Sequence, residues 1–238
     1  MLGPMVAESA FGMEQRDDSM MQGVRVWDAP TRLFHWSLVA GFAGMWYSGK
    51  QGGDLLQYHI WCGIGIAGLL LFRLLWGMVG SDTARFAHFV RGPGTIMRYL
   101  KGELAEHEQP GHNPLGALMV VALLGVLLFQ VSTGLFSADV DSYLYDGPLA
   151  ARIDSGLAEA ITAWHKLSFN LLLGLVGLHV LAILTYKLVK KQNLVHAMVT
   201  GRKPLGGVAP RLRFASPALA VLMALLSAGG VYLLLTRV

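Results

Sequence analysis

Five apolar runs, separated by blocks of charge, dominate this chain; they fall near Leu33–Ser48, His59–Val79, Leu115–Phe136, Ile161–Val189 and Phe214–Leu235. Each approaches the roughly 20 helical residues that cross a bilayer core. Backbone amides and carbonyls cannot be left unpaired in hydrocarbon, so runs of this length are committed to helix. With 54% hydrophobic and only 14% charged residues, the composition excludes an ordinary water-soluble domain. The sequence therefore predicts an all-α membrane protein with five spans. The first run is the shortest, and Asp28 followed by Pro30 predicts a cap and first-turn pair that extends its helix back to Ala29.

Residues 1–22 lack a long apolar core behind a basic start, so they do not read as a cleaved signal. They are expected to form a flexible cytoplasmic extension, and Met13, Met20 and Met21 are alternative translation starts. Lysine and arginine outside the spans set the orientation. Residues 1–32, 81–113 and 187–213 hold three, four and seven, whereas 49–58, 137–160 and the C-terminal tail hold one each. Positive residues stay cytoplasmic, which predicts a multi-pass protein of the bacterial cytoplasmic (inner) membrane, N-terminus cytoplasmic and C-terminus periplasmic. The basic balance then reflects topology and anionic lipid of the bilayer, not nucleic acid. A nucleotide-binding glycine loop, a CxxC pair and a catalytic serine context are all missing from the sequence, and the single Cys62 cannot form an internal disulfide.

Imidazole is costly in hydrocarbon, so the histidines carry the functional signal. His35 lies near the cytoplasmic start of the first helix and His59 near the external start of the second. The fourth helix descends from outside to inside, with His165 near its external end and His179 deeper. Fourteen residues at 1.5 Å rise span about 21 Å, and fourteen steps of roughly 100° return to within about 40° of the starting direction. Both rings thus leave one face at two depths, which predicts the pairs His35 with His179 and His59 with His165. A lone histidine at a helix end is more often an interfacial polar group than a ligand. Four at complementary depths are the plan for two haems, because ligation from both sides suits electron transfer by leaving no open position on iron. Gly63, Gly65, Gly68, Gly174 and Gly177 near these positions would let a flat group or a neighbouring helix approach the backbone.

The segments "VRVWDAPTRLFHWSLV", "FRLLWGMVGSDTARFAHFVRGPGTIMRYL" and "GHNPLGALMV", with the His-x13-His of the fourth helix, resemble one known group. It is the bacterial di-haem cytochrome b-561 family, which includes the b-type cytochrome subunit of membrane nickel–iron hydrogenases. The resemblance covers about residues 23–190. It implies a four-helix bundle holding two b haems on His35, His59, His165 and His179. Beyond it, 191–213 is expected to be a basic cytoplasmic linker. The fifth span, 214–238, departs from that four-helix core.

Arg32 and Arg73 come near the depth of the cytoplasmic haem, where a guanidinium could pair with haem propionates or snorkel to lipid phosphate. Lys166 has the same two readings at the outer haem. His112 reads either as a proton carrier at a quinone site or as a solvated interfacial histidine; His88, His107 and His196 carry no assigned role. The expected function is transmembrane electron transfer between a redox partner, a c-type cytochrome or a hydrogenase-like subunit, and the quinone pool, ubiquinone or menaquinone. Two other readings of the same histidines stay open: superoxide oxidation at the outer haem, favoured if Lys166 steers anions there, and a haem-free metal transporter or assembly subunit. The external loop, with Asp139, Asp141, Asp146, Asp154 and Glu159 against Arg152, is expected to attract a cationic partner.

Overall fold

The computed structural model describes residues 22–104, 109–205 and 210–237; the N-terminal extension up to residue 21, its alternative starts and His107 lie outside the described residues. In chain order the elements are β1 (Gln22–Arg25), α1 (Ala29–Gln51), α2 (Leu55–Val79), α3 (Phe86–Phe89), α4 (Pro93–Leu100), α5 (Pro114–Phe136), α6 (Ser155–Leu188), α7 (Leu194–Thr200), β2 (Arg202–Leu205) and α8 (Pro217–Arg237). Four of these helices, α2, α5, α6 and α8, are long and apolar enough to cross a membrane. At 23 residues α1 matches them in length. It is less apolar, because Arg32, His35, Ser48 and Lys50 interrupt it.

The helices pack as two hairpins, α1 on α2 and α5 on α6, joined through α2 and α5, with α8 laid along α2. Between the hairpins sits a small core of Phe34, Ile66, Leu70, Leu124, Leu127 and Leu172. Large apolar side chains such as Trp61, Phe129, Leu171 and Leu225 face outward, as lipid-facing positions require. Helix α6 starts at Ser155, six residues before the apolar run, because the Asp154 side chain accepts from Leu157 N and caps it. Its 34 residues correspond to about 51 Å, well beyond a hydrocarbon core of roughly 30 Å.

Of the segment 191–213, expected as a linker, residues 194–205 fold over one end of the bundle. Here α7 leads into β2, which pairs antiparallel with β1, Val24 opposite Lys203 and Arg25 opposite Arg202. Val26, Trp27, Ala197 and Leu205 are buried beneath this cap. The start of α8 is latched to the same end, where Asp82 N donates to Arg213 O at 3.0 Å and Arg213 N to Asp82 Oδ2 at 2.8 Å. Ala215 N donates to Ser81 Oγ at 3.1 Å.

One buried carboxylate ties the start of α1 to α2. Asp28 accepts from Thr31 N at 2.7 Å as the α1 cap and from Trp76 Nε1 at 3.1 Å, with Trp76 wholly buried. Losing a cap costs about 1 kcal/mol, and leaving the indole N–H unpaired adds about 1–3 kcal/mol. Asp28→Ala is therefore expected to lower the helical melting temperature in detergent, followed by circular dichroism. Asp28→Asn, which keeps the cap, should recover part of the loss; an unchanged melt for Asp28→Ala would show that this tie contributes nothing.

Candidate functional site

The fold brings the four bundle histidines together two by two. The ring centroids of His59 on α2 and His165 on α6 are 6.2 Å apart, with ring planes at 82°. Those of His35 on α1 and His179 on α6 are 6.5 Å apart, at 58°. A metal–imidazole bond of about 2 Å on each side, plus about 1.1 Å from ring nitrogen to ring centre, sets two centroids roughly 6 Å apart across one ion. Both pairs have the spacing of two imidazoles that share a single metal.

The His59–His165 pair is built to present its Nε2 atoms. Near the end of α1, the His59 Nδ1 lies 3.0 Å from Met45 O and 3.3 Å from the Ser48 hydroxyl, which itself donates to Gly44 O at 2.7 Å. Near the end of α5 the pattern repeats. The His165 Nδ1 lies 3.0 Å from Gln130 O and 3.1 Å from the Thr133 hydroxyl, which donates to Phe129 O at 2.9 Å. A carbonyl can only accept, so each ring carries its proton on Nδ1 and leaves Nε2 with a free lone pair. The Gln130 amide nitrogen donates to His165 O at 3.1 Å and lies 3.2 and 3.3 Å from the two ring nitrogens of His165.

The residue after each hydroxyl is glycine, and the need for it is steric. A Cβ on Gly49 would come within 3.0 Å of His59 Cε1, and one on Gly134 within 2.9 Å of His165 Cε1. These glycines let the rings lie against the neighbouring helix. The glycines singled out from sequence behave differently: Gly65, Gly68, Gly174 and Gly177 have nothing within 4 Å of such a Cβ, and Gly63 only Met45 Cε at 3.5 Å. They make no close helix contact. Ser48, Gly49, Gln130, Thr133 and Gly134 were missed by sequence reading, although a hydroxyl–glycine pair near the end of the preceding helix recurs before both His59 and His165.

Beside this pair lies a cavity of about 680 Å³, lined by Gly49, His59, Gly63, Gly134, His165 and Phe169 among others. That volume lies within the range of sites for compact organic ligands. The ring spacing, the Nδ1 anchors and this cavity fit a flat group whose metal is held between two imidazoles. Lys166, at the same end, pairs with Asp141 Oδ2 at 2.7 Å on an exposed surface.

At the other pair His35 Nδ1 is buried with no hydrogen-bond partner among the described residues. Arg32 reaches Val199 O in α7, binding α1 to the cap. Arg73 is buried, 3% exposed, with its guanidinium 4.7 Å from the Phe86 ring centre and 5.9 Å from that of Phe89. Its position does not allow snorkelling to lipid phosphate. His112 is half-buried, with its ring packed 4.7 Å from Trp27 and 4.6 Å from Phe89. Burial, then the charge of Arg73, pushes its pKa down to about 3.

The chain is 25% identical over 215 residues to a probable Ni/Fe-hydrogenase B-type cytochrome subunit of Rhizobium leguminosarum bv. viciae, covering 76% of this chain and 89% of that one. It is 26% identical over 211 residues to the protein of the same description from Azotobacter chroococcum mcd 1, covering 75% and 87%. No solved structure matches the chain. The family model for prokaryotic cytochrome b561 matches residues 26–201, from the buried edge of the cap through α1, α2, α5, α6 and α7, and the chain belongs to that family.

Proposed function

We propose that this chain is a five-span, di-haem cytochrome b of the bacterial inner membrane that conducts electrons between a redox partner and the quinone pool. His59 and His165 hold one haem b toward the periplasm; His35 and His179 hold the other toward the cytoplasm. The fifth span is α8, which lies beyond the residues matched by the family model. The observation that carries the reading is the presence of two separate histidine pairs, each at single-ion spacing. Haem supplies a one-electron carrier in a layer that water-soluble carriers cannot enter. The chain supplies ligands, spacing and surrounding charge, with Arg32, Arg73 and Lys166 as candidate partners for haem propionates.

The description of the relatives as hydrogenase cytochrome subunits supports a hydrogenase-like redox partner, and ubiquinone or menaquinone is the lipid-soluble carrier proposed at the other end. A divalent-ion transporter would need three or four ligands converging at one place, whereas these histidines fall into two pairs. Superoxide oxidation was favoured only if Lys166 steers anions to the outer haem, and Lys166 forms an exposed ion pair with Asp141. The test is a reduced-minus-oxidised visible spectrum of the purified protein with its haem-to-polypeptide ratio. Two b haems per chain are expected; one or none would overturn the reading.

A further inference from the structure

Helices α1 and α5 present the same five-residue device to an imidazole on the next long helix. In "MWYSG" the Met45 carbonyl, the Ser48 hydroxyl and Gly49 face His59; in "QVSTG" the Gln130 carbonyl, the Thr133 hydroxyl and Gly134 face His165. The two hairpins are thus repeats of each other at this end. At the other end the repeat is broken. His179 follows His165 by fourteen residues on α6, but the position fourteen after His59 on α2 is Arg73. Neither His35 nor His179 has a carbonyl or hydroxyl anchor of this kind among the described residues.

Resting on the di-haem reading, we propose that Ser48–Gly49 and Thr133–Gly134 are positioning residues that make the His59–His165 haem the lower-potential member of the pair. An imidazole whose Nδ1–H is held by a carbonyl and a hydroxyl is a more basic ligand, and a more basic ligand stabilises ferric over ferrous iron. The His35–His179 site lacks that donation. An electron entering at the periplasmic haem therefore moves downhill to the cytoplasmic one, oxidising the first iron and reducing the second. The cradle also fixes the His59 and His165 ring planes at 82°. Near-perpendicular ligand planes leave two iron d orbitals almost degenerate, so that ferric site should give a strongly anisotropic low-spin electron paramagnetic resonance signal.

The experiment is a potentiometric titration of the haem-loaded full chain, with low-temperature resonance spectra of the oxidised form. His179→Ala identifies the transitions: the haem it leaves behind should match the lower of the two parental midpoints and retain the anisotropic signal. Ser48→Ala combined with Thr133→Val should raise that lower midpoint and leave the upper one in place, and Ser48→Ala combined with Thr133→Ser, which keeps a hydroxyl at position 133, should bring it back down. Gly134→Ala, which forces the His165 ring aside, should narrow the anisotropy or empty that site. A surviving haem in His179→Ala that matches the upper midpoint overturns the inference, as does a Ser48→Ala/Thr133→Val protein with both midpoints unmoved. Either result leaves the di-haem reading standing; a parent that holds fewer than two haems overturns both.

Discussion

His59→Gly combined with His165→Gly is expected to hold one haem per chain, the same number as either single variant. His59→Gly combined with His179→Gly is expected to hold none. The contrast follows from pairing. Two ligands of one iron act as a unit, so removing the second costs nothing further, whereas ligands from different pairs fail independently. Centroid distances of 6.2 and 6.5 Å assign the partners. The single variants should differ in rescue. In His165→Gly the Gln130 carbonyl and the Thr133 hydroxyl remain to bind the N–H of added imidazole, and Gly134 still makes room for its ring. Imidazole should therefore restore haem binding there, measured as haem-to-protein ratio after reconstitution, and restore it far less in His179→Gly, whose pair has no such anchor among the described residues. If His59→Gly/His165→Gly were haem-free while His59→Gly/His179→Gly kept one, the pairing would be wrong.

The sequence made the long helices legible because in a membrane the solvent does the selecting: every apolar run has to become a helix, and the Asp28–Pro30 start of α1 is a local signal. The meeting of the histidines in pairs was legible for a related reason, since rise and angle per residue are fixed along a straight helix. The cradle around His59 and His165 was harder to see. Serine, threonine and glycine in an apolar helix have many uses, and only the fold shows which neighbour each one faces. The cap was hidden for another reason. β1 and β2 pair across most of the chain's length, and the lysines and arginines between 187 and 213 outweighed the short apolar signal of Val195, Ala197 and Leu205. His112 was read by its position before a helix, whereas its surroundings come from Trp27 and Phe89, which are distant in sequence. The external loop was read by its charge alone, whereas the hydrogen bonds that its carboxylates accept within the loop come from the fold.

Asp139→Ala is expected to open the loop between α5 and α6 and loosen the His165 site, with no dependence on ionic strength. The Asp139 side chain is only 8% exposed. Its carboxylate accepts from Ser142 N at 2.9 Å, Leu144 N at 2.8 Å, Asp141 N and Tyr145 N at 3.3 Å each, and the Ser142 hydroxyl. Three of the other four acidic residues make contacts as well. Asp146 accepts from Asp139 N, Asp141 pairs with Lys166 and Asp154 caps α6. Hydrogen bonds to a charged group contribute about 1.5–3 kcal/mol each, so losing this set exceeds what a surface loop can absorb. Burial alone would push the Asp139 carboxyl up, but the hydrogen bonds from Ser142, Leu144 and Tyr145 outweigh it and hold the group well below the usual carboxylate range. A depressed folded pKa contributes stability that is complete above the unfolded value, about 3.9, and is lost as pH falls toward the folded one. The parent loop should therefore stay closed at neutral pH and loosen only in strong acid, whereas Asp139→Ala is open throughout. Hydrogen exchange of residues 138–149 at pH 7, with haem content, reads both effects. If Asp139→Ala left that protection unchanged and instead slowed reduction of a cationic cytochrome in a salt-dependent way, the carboxylate would be a docking charge after all.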